Sequence, residues 1–176
     1  MDRMKMWLAD QDVKWFGFVN QRLHCQLLDI LLPRITHLGG ATATLTGLGL
    51  TMILCSDPIR LWAVQALIAL IISHVAVQVI KKIVPRQRPY LILPGTRLCP
   101  HPLKDYSFPS GHFTASFSIA SVFALHSIVL AFLVVPLAVA IAFSRMYLGL
   151  HYPTDCLAGA VLGTVTACCV VWISGF

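Results

Sequence analysis

Between Tyr106 and Ser144 the chain carries no Lys, Arg or Asp, and it has no Glu at any position. So long an uncharged run reads as membrane-embedded helix rather than as part of a water-soluble domain. As one helix from His112 to Ser144 it would measure roughly 50 Å at 1.5 Å per residue, against about 30 Å of hydrocarbon. Two short crossings joined by a tight turn near Leu125–Ser127 fit better, with Pro136 kinking the second. Leu61–Ile80 supplies twenty more uncharged residues, the length of one crossing. Cys156–Ser174 is a further span, with Gly159 and Gly163 forming a small-xxx-small face. Ala41–Cys55 is short and rich in Gly and Thr, and Leu23–Leu38 is interrupted by Asp29, Pro33 and Arg34. The expectation is an all-α polytopic membrane protein with six transmembrane helices, folded as a single domain over residues 1–176.

Composition excludes the other broad classes. Apolar residues make up 57% and charged residues 11%, where soluble domains carry about a quarter charged. Disorder, collagen and a nucleic-acid-binding tail are ruled out by the same figures, despite a net charge of +6. Residues 1–20 hold no uninterrupted apolar core of a signal peptide. There Met4, Leu8, Trp15 and Val19 recur at near-helical spacing beside Trp7 and Phe16, which predicts an interfacial amphipathic helix. Of the six Cys, four lie in or beside apolar runs and read as small hydrophobes. Only Cys99 and Cys156 sit near polar stretches, and a bridge between them is the lesser reading.

Three polar clusters interrupt the apolar pattern, each at the end of a span: Lys81 with Arg88-Pro89, Pro109–His112, and Ser144-Arg145 with His151 and Asp155. If the last four spans alternate, all three emerge on one face, where they can share a ligand. Lys81, Arg88 and Arg145 suit a phosphate and its developing charge. His112 opens a span, so an anion beside it also meets the free N–H groups of a helix N-terminus. Gly111 lets the backbone approach the ligand. Pro153 fits the first helical position, which puts Asp155 at the third, able to reach back and orient His151. The other ring nitrogen of His151 is then free to attack, a nucleophile–orienter pair.

The pattern K-x6-RP, PSGH, SR-x5-H-x3-D resembles that of the type-2 phosphatidic acid phosphatase superfamily of lipid phosphatases, and every specified position is met, from Lys81 to Asp155. The resemblance implies a lipid phosphatase with His151 as nucleophile forming a phosphohistidine, Asp155 orienting it, and His112 protonating the leaving group. It implies that Lys81, Arg88, Ser110, Gly111 and Arg145 hold the phosphate, without metal or cofactor. It also implies a lipid phosphate or diphosphate as partner, with undecaprenyl pyrophosphate, phosphatidylglycerol phosphate and phosphatidic acid equally compatible. The site would face outward in a bacterial cytoplasmic membrane; oligomeric state is left open.

Blander and rival readings accompany these. Lys82 and Arg86 read as a basic collar touching headgroups. His74, seven residues before Lys81, shares its helix face and reads first as a packing residue. His24, His37 and His126 read as interfacial, and His101 as a possible headgroup contact. Two His and an Asp can ligate zinc or iron, but the adjacent cations would repel a divalent ion. A phosphotransferase with a non-water acceptor, or a non-catalytic lipid transporter, are the functional alternatives. Six spans put Arg3, Lys5, Lys14, Arg22 and Arg60 opposite the motifs; setting aside Lys81, Arg88 and Arg145 leaves five cations on each side. The positive-inside rule therefore does not decide sidedness here.

Overall fold

The computed structural model describes residues 2–23, 25–98 and 102–175. His24, Cys99 and His101, read above as an interfacial residue, a disulfide candidate and a headgroup contact, lie outside the described residues. Helix α1 (Asp2–Gly17) runs into a π-helical turn (Phe18–Arg22), followed by α2 (Gln26–Leu38) and α3 (Ala41–Leu54). Then come α4 (Ile59–Ile83), the single turn α5 (Pro89–Ile92), α6 (Gly111–His126), α7 (Ile128–Tyr147) and α8 (Pro153–Ile173). Helices α4, α7 and α8, of 25, 20 and 21 residues, are each long and apolar enough to cross a membrane. The long uncharged run divides at Ser127, whose hydroxyl accepts the Leu130 N–H and so caps α7 where α6 has just ended.

Contacts at the two ends of the bundle fix the direction of each helix. At one end His126 Nε2 lies 2.6 Å from Gln65 Oε1, and Gln65 donates to Ser174. The start of α4 therefore meets the ends of α6 and α8. At the other end the Ser110 N–H donates to the Asp155 carbonyl at 3.0 Å, and Arg88 reaches His151. There the end of α4 meets the starts of α6 and α8 and the end of α7. Helix α3 starts at this motif end, with Gly40 beside His112, and Thr51 near its other end shares a cavity wall with Phe123 late in α6.

Helices α1 and α2 depart from the expected six-span alternation, which would put residues 1–20 on the face opposite the motifs. Instead Asp12 of α1 pairs with Arg86 at 2.7 Å and accepts the Thr154 N–H at 3.0 Å. Asn20 is fully buried and donates to the carbonyls of Arg97 and Tyr147. Helix α2 begins near Tyr147, whose hydroxyl donates to Asp29, and ends with Thr36 against Arg145 and Gly39 against Ile141 and His112. Both ends of α2 thus lie at the motif end. At 13 residues it is about 20 Å long, with Pro33 inside it, and does not run the length of the bundle.

Small residues set the closeness of packing. Ala63, Ala66 and Ala69 of α4 and Ala167 of α8 are wholly buried in a core shared with Leu48 of α3 and Val122 of α6. Helices α6 and α8 run parallel and nearly touch through backbone, at the Gly159 and Gly163 face that their spacing predicts. A Cβ on Gly163 would stand 2.5 Å from the Thr114 carbonyl oxygen and 2.8 Å from the Ser118 nitrogen, both backbone atoms that cannot yield. Gly163→Ala is expected to destabilise the protein by about 1–3 kcal/mol, read as a lower thermal midpoint in detergent. Gly47→Ala, within α3 where a Cβ meets nothing within 4 Å, serves as the control that keeps or raises the midpoint.

Candidate active site

The three polar clusters converge on one cavity of about 450 Å³. Its polar end is lined by Lys81 from the end of α4, Arg88 from the following loop, Gly111 and His112 from the start of α6, Arg145 from the end of α7, and His151. Its other walls are Leu45 of α3 and Leu70, Ile71, Val75 and Val77 of α4. Leu45, Ile71 and Val75 are also exposed on the outer surface of the bundle, so the apolar part of the cavity borders the lipid-facing side. Three cations brought this close in a nearly charge-free chain must be compensated. An aspartate supplies part of that: Asp105 pairs with Lys81 and with Arg88 Nη2 at 2.7 Å. Burial pushes the Asp105 carboxyl up, but the Lys81 ammonium and the Arg88 guanidinium outweigh it and hold it at about 2.

Arg88 is the hub of the polar end. It is 1% exposed, and each of its five N–H groups has an acceptor. Nε donates to the Asp105 carbonyl, Nη2 to Asp105 Oδ1 and the Tyr106 carbonyl, and Nη1 to the Leu150 carbonyl. The fifth contact, Nη1 to His151 Nε2 at 3.1 Å, sets the imidazole tautomer. A guanidinium only donates, so Nε2 presents its lone pair and the proton resides on Nδ1. Nδ1 in turn lies 3.6 Å from Asp155 Oδ2. Burial, with the Arg88 and Arg145 guanidiniums, drives His151 down to about 3 against the opposing pull of Asp155, so the ring is neutral. Gly149, with φ at +78°, makes the turn out of α7 that aims the Leu150 carbonyl and His151 at Arg88.

Asp155 occupies the third position of α8, as Pro153 at its first position predicts, and Oδ2 accepts the Tyr152 N–H at 2.8 Å. It also accepts from Ser107, and Oδ1 takes a 2.7 Å bond from Arg86. Arg86 therefore does not belong to a headgroup collar. It donates to Asp12, Thr154 and Asp155, and its guanidinium carbon lies 4.0 Å from the centroid of the Tyr152 ring. Lys82 does face outward. The reason is register: α4 ends at Ile83, and the extended chain after it turns Arg86 and Arg88 inward, a change that helical spacing cannot anticipate.

Four residues that sequence reasoning missed thus shape the site: Asp12, Arg86, Asp105 and Ser107. Thr36, which accepts from Arg145 Nη1 at 3.1 Å, is a fifth. For Asp12 and Asp105 the available signal was scarcity, because a carboxylate drawn into a chain so poor in charge needs a partner. Ser110 is fully buried at the N-cap of α6, yet its side chain makes no cap hydrogen bond, and its hydroxyl has no partner among the described residues. Gly111 has ordinary room, since a Cβ would meet Val77 at 3.9 Å, so protein packing does not require glycine there. The Ser144 hydroxyl turns back onto the Ile141 carbonyl. His74 lines the cavity wall and sits 3.3 Å from Gln78. His126 stacks on Trp62 at the far end, and His37 is exposed. Cys156 is a buried free thiol. Among the described residues no three His, Cys, Asp or Glu side chains stand at metal-ligating spacing.

Comparison with known proteins gives this constellation a family. Residues 62–176 match the model of the PAP2 superfamily. The chain is 34% identical over 114 residues to the bacitracin transport permease protein BcrC of Bacillus licheniformis, covering 64% of this chain and 56% of that protein. It is 36% identical over 107 residues to the putative undecaprenyl-diphosphatase YbjG of Escherichia coli, covering 60% of this chain and 54% of that protein. The matched stretch thus spans about half the length of these curated relatives. The crystal structure of Aquifex aeolicus LpxE superimposes with a TM-score of 0.80 at 26% identity, over 90% of this chain and 93% of the other. With the family model covering all three motifs, the chain belongs to the PAP2 superfamily.

Proposed function

We propose that the protein is a metal-independent lipid phosphatase that removes the terminal phosphate of a lipid phosphate or diphosphate through a phosphohistidine at His151. The observation that carries this reading is the lone pair of His151 Nε2, held at Arg88 in a cavity whose polar end holds Lys81 and Arg145 and whose apolar walls border lipid. Nε2 forms the bond to phosphorus as the bond to the lipid oxygen breaks, and His112 gives its proton to the departing oxygen. Water, deprotonated by the same His112, then cleaves the N–P bond and releases inorganic phosphate, restoring both rings. Asp155 stands on the Nδ1 proton side, while Lys81, Arg88, Arg145 and the helix N-terminal N–H groups of Gly111 and His112 take up the charge.

The name of the E. coli relative favours undecaprenyl pyrophosphate among the candidate lipids. We read residues 1–176 as one phosphatase domain with its chemistry at 81–155. Helices α3, α4, α6, α7 and α8 cross the bilayer, α1 lies in the interface, and α2 is embedded without crossing. Phosphate release by the purified protein tests the activity against undecaprenyl pyrophosphate, phosphatidylglycerol phosphate and phosphatidic acid, with p-nitrophenyl phosphate as a soluble control. Lipid hydrolysis should persist in excess chelator, His151→Ala should abolish it, and His112→Ala should slow it by about 10²–10⁴-fold. Wild-type rates in His151→Ala would remove the nucleophile assignment.

Arg86 acts through Asp155 and is a positioning residue. Arg86→Gln is expected to lower kcat by roughly tenfold or more with KM little changed, because the phosphate donors are untouched. A change in KM alone would contradict that role.

Sidedness has two opposed indicators. The family resemblance puts the motif end on the outer face. Apart from Arg60, the Lys and Arg residues sit on elements meeting at that end, which the positive-inside rule assigns to the cytoplasm. A single cysteine replacing exposed Lys104, in a cysteine-free background, separates them. Labelling of intact cells by a membrane-impermeant maleimide is the outcome expected for an outward site, and labelling only after permeabilisation would reverse it.

A further inference from the structure

Every N–H of Arg88 is engaged inside the protein, three of the five with backbone carbonyls. The two side-chain acceptors are His151 Nε2, at 3.1 Å, and Asp105 Oδ1, at 2.7 Å. The other oxygen of the same carboxylate takes the Lys81 ammonium. Apart from Nη1, which is released when His151 Nε2 turns to phosphorus, a phosphate on Arg88 can take a donor only from Asp105, since the carbonyls are fixed in the chain, and at Lys81 it meets the same carboxylate. Asp105 is suited to yield, because its side chain is 52% exposed while those of Arg88 and Lys81 are 1% and 9% exposed. It sits in a loop, where a rotamer change disturbs no helix. Arg88 would keep its place without it, held by the Asp105, Tyr106 and Leu150 carbonyls.

We propose that Asp105 is an internal competitor for the phosphate site: its carboxylate occupies Lys81 and Arg88, is displaced when a phosphoryl group binds, and returns to expel inorganic phosphate. The proposal rests on the phosphatase reading above. A dianion bound against three cations alone would leave slowly, and a tethered carboxylate weakens substrate and product phosphate together. Such uniform weakening raises KM and leaves the chemical barrier largely alone. The opposite role, a clasp that holds Lys81 and Arg88 ready for phosphate, predicts the opposite sign.

The test is equilibrium binding of inorganic phosphate to the purified full-length protein, alongside KM and product inhibition with undecaprenyl pyrophosphate. Asp105→Asn, nearly isosteric and uncharged, should bind phosphate about tenfold more tightly than wild type, with lower KM and stronger inhibition by phosphate. Asp105→Glu, which keeps the charge, should stay near the wild-type affinity and guards against a folding artefact. Equal or weaker phosphate binding in Asp105→Asn, with wild-type hydrolysis intact, overturns the competitor role and leaves the phosphatase reading standing. Phosphate binding without hydrolysis of any lipid phosphate by the wild type removes the phosphatase reading instead. Tighter binding in both variants would show that charge is irrelevant and would also overturn the proposal.

Discussion

The burial of the Arg88 guanidinium is the constraint around which the motif end is organised. A guanidinium that is 1% exposed beside a membrane core is tolerable only if its donors are satisfied. Three backbone carbonyls from two separate loops do most of this, so residues 105–106 and residue 150 must fold onto Arg88 before the site exists. The same contacts bring in Asp105 and His151 as neighbours. Positioning of the candidate nucleophile is thus a by-product of satisfying one buried cation, which links the first motif to the third through hydrogen bonds.

A second, half-buried cation ties the amino-terminal helix to this end. Arg86 lies between Asp12 and Asp155, and Asp12 also takes the Thr154 N–H at the first turn of α8. Asp12 is 4% exposed, so leaving it unpaired would be expensive. Helix α1 is therefore held beside the first turn of α8 at the motif end. Outward-facing Met4, Trp7 and Trp15 then suit an interfacial position, while Phe16 packs its ring 5.7 Å from that of Tyr152.

What could be read from the sequence was whatever depended on local rules. The helix break at Ser127, the small-residue face of α8 and the placement of Asp155 by Pro153 follow from hydropathy, spacing and cap chemistry, and the structure has all three. The gathering of Lys81, Arg88, His112, Arg145 and His151 followed from alternation of the last four spans. What was not legible depended on the path of irregular chain. Spacing gives no hint that the segment after Ile83 turns Arg86 inward, or that Asp105 folds back over Lys81. The course of Leu23–Leu38 was hidden for a related reason: it is apolar enough to be embedded, but only tertiary contacts at Asp29, Thr36 and Gly39 place both its ends near the motif end.

The parallel pairing of α6 and α8 favours the proposed anion site at this end over the other. Parallel neighbours align their macrodipoles, which disfavours the pair electrostatically, and here backbone contact at Gly159 and Gly163 holds them together regardless. Two helix N-termini with partial positive charge are thereby set side by side. They are not treated alike. The start of α8 is closed by Asp155 on the Tyr152 N–H and by Asp12 on the Thr154 N–H, so its charge is answered from within the protein. The start of α6 has Ser110 at its cap position without a side-chain cap bond, and Gly111 and His112 line the cavity with Lys81, Arg88 and Arg145. One terminus sets a fixed carboxylate 3.6 Å from the His151 imidazole, and the other carries no side-chain cap bond.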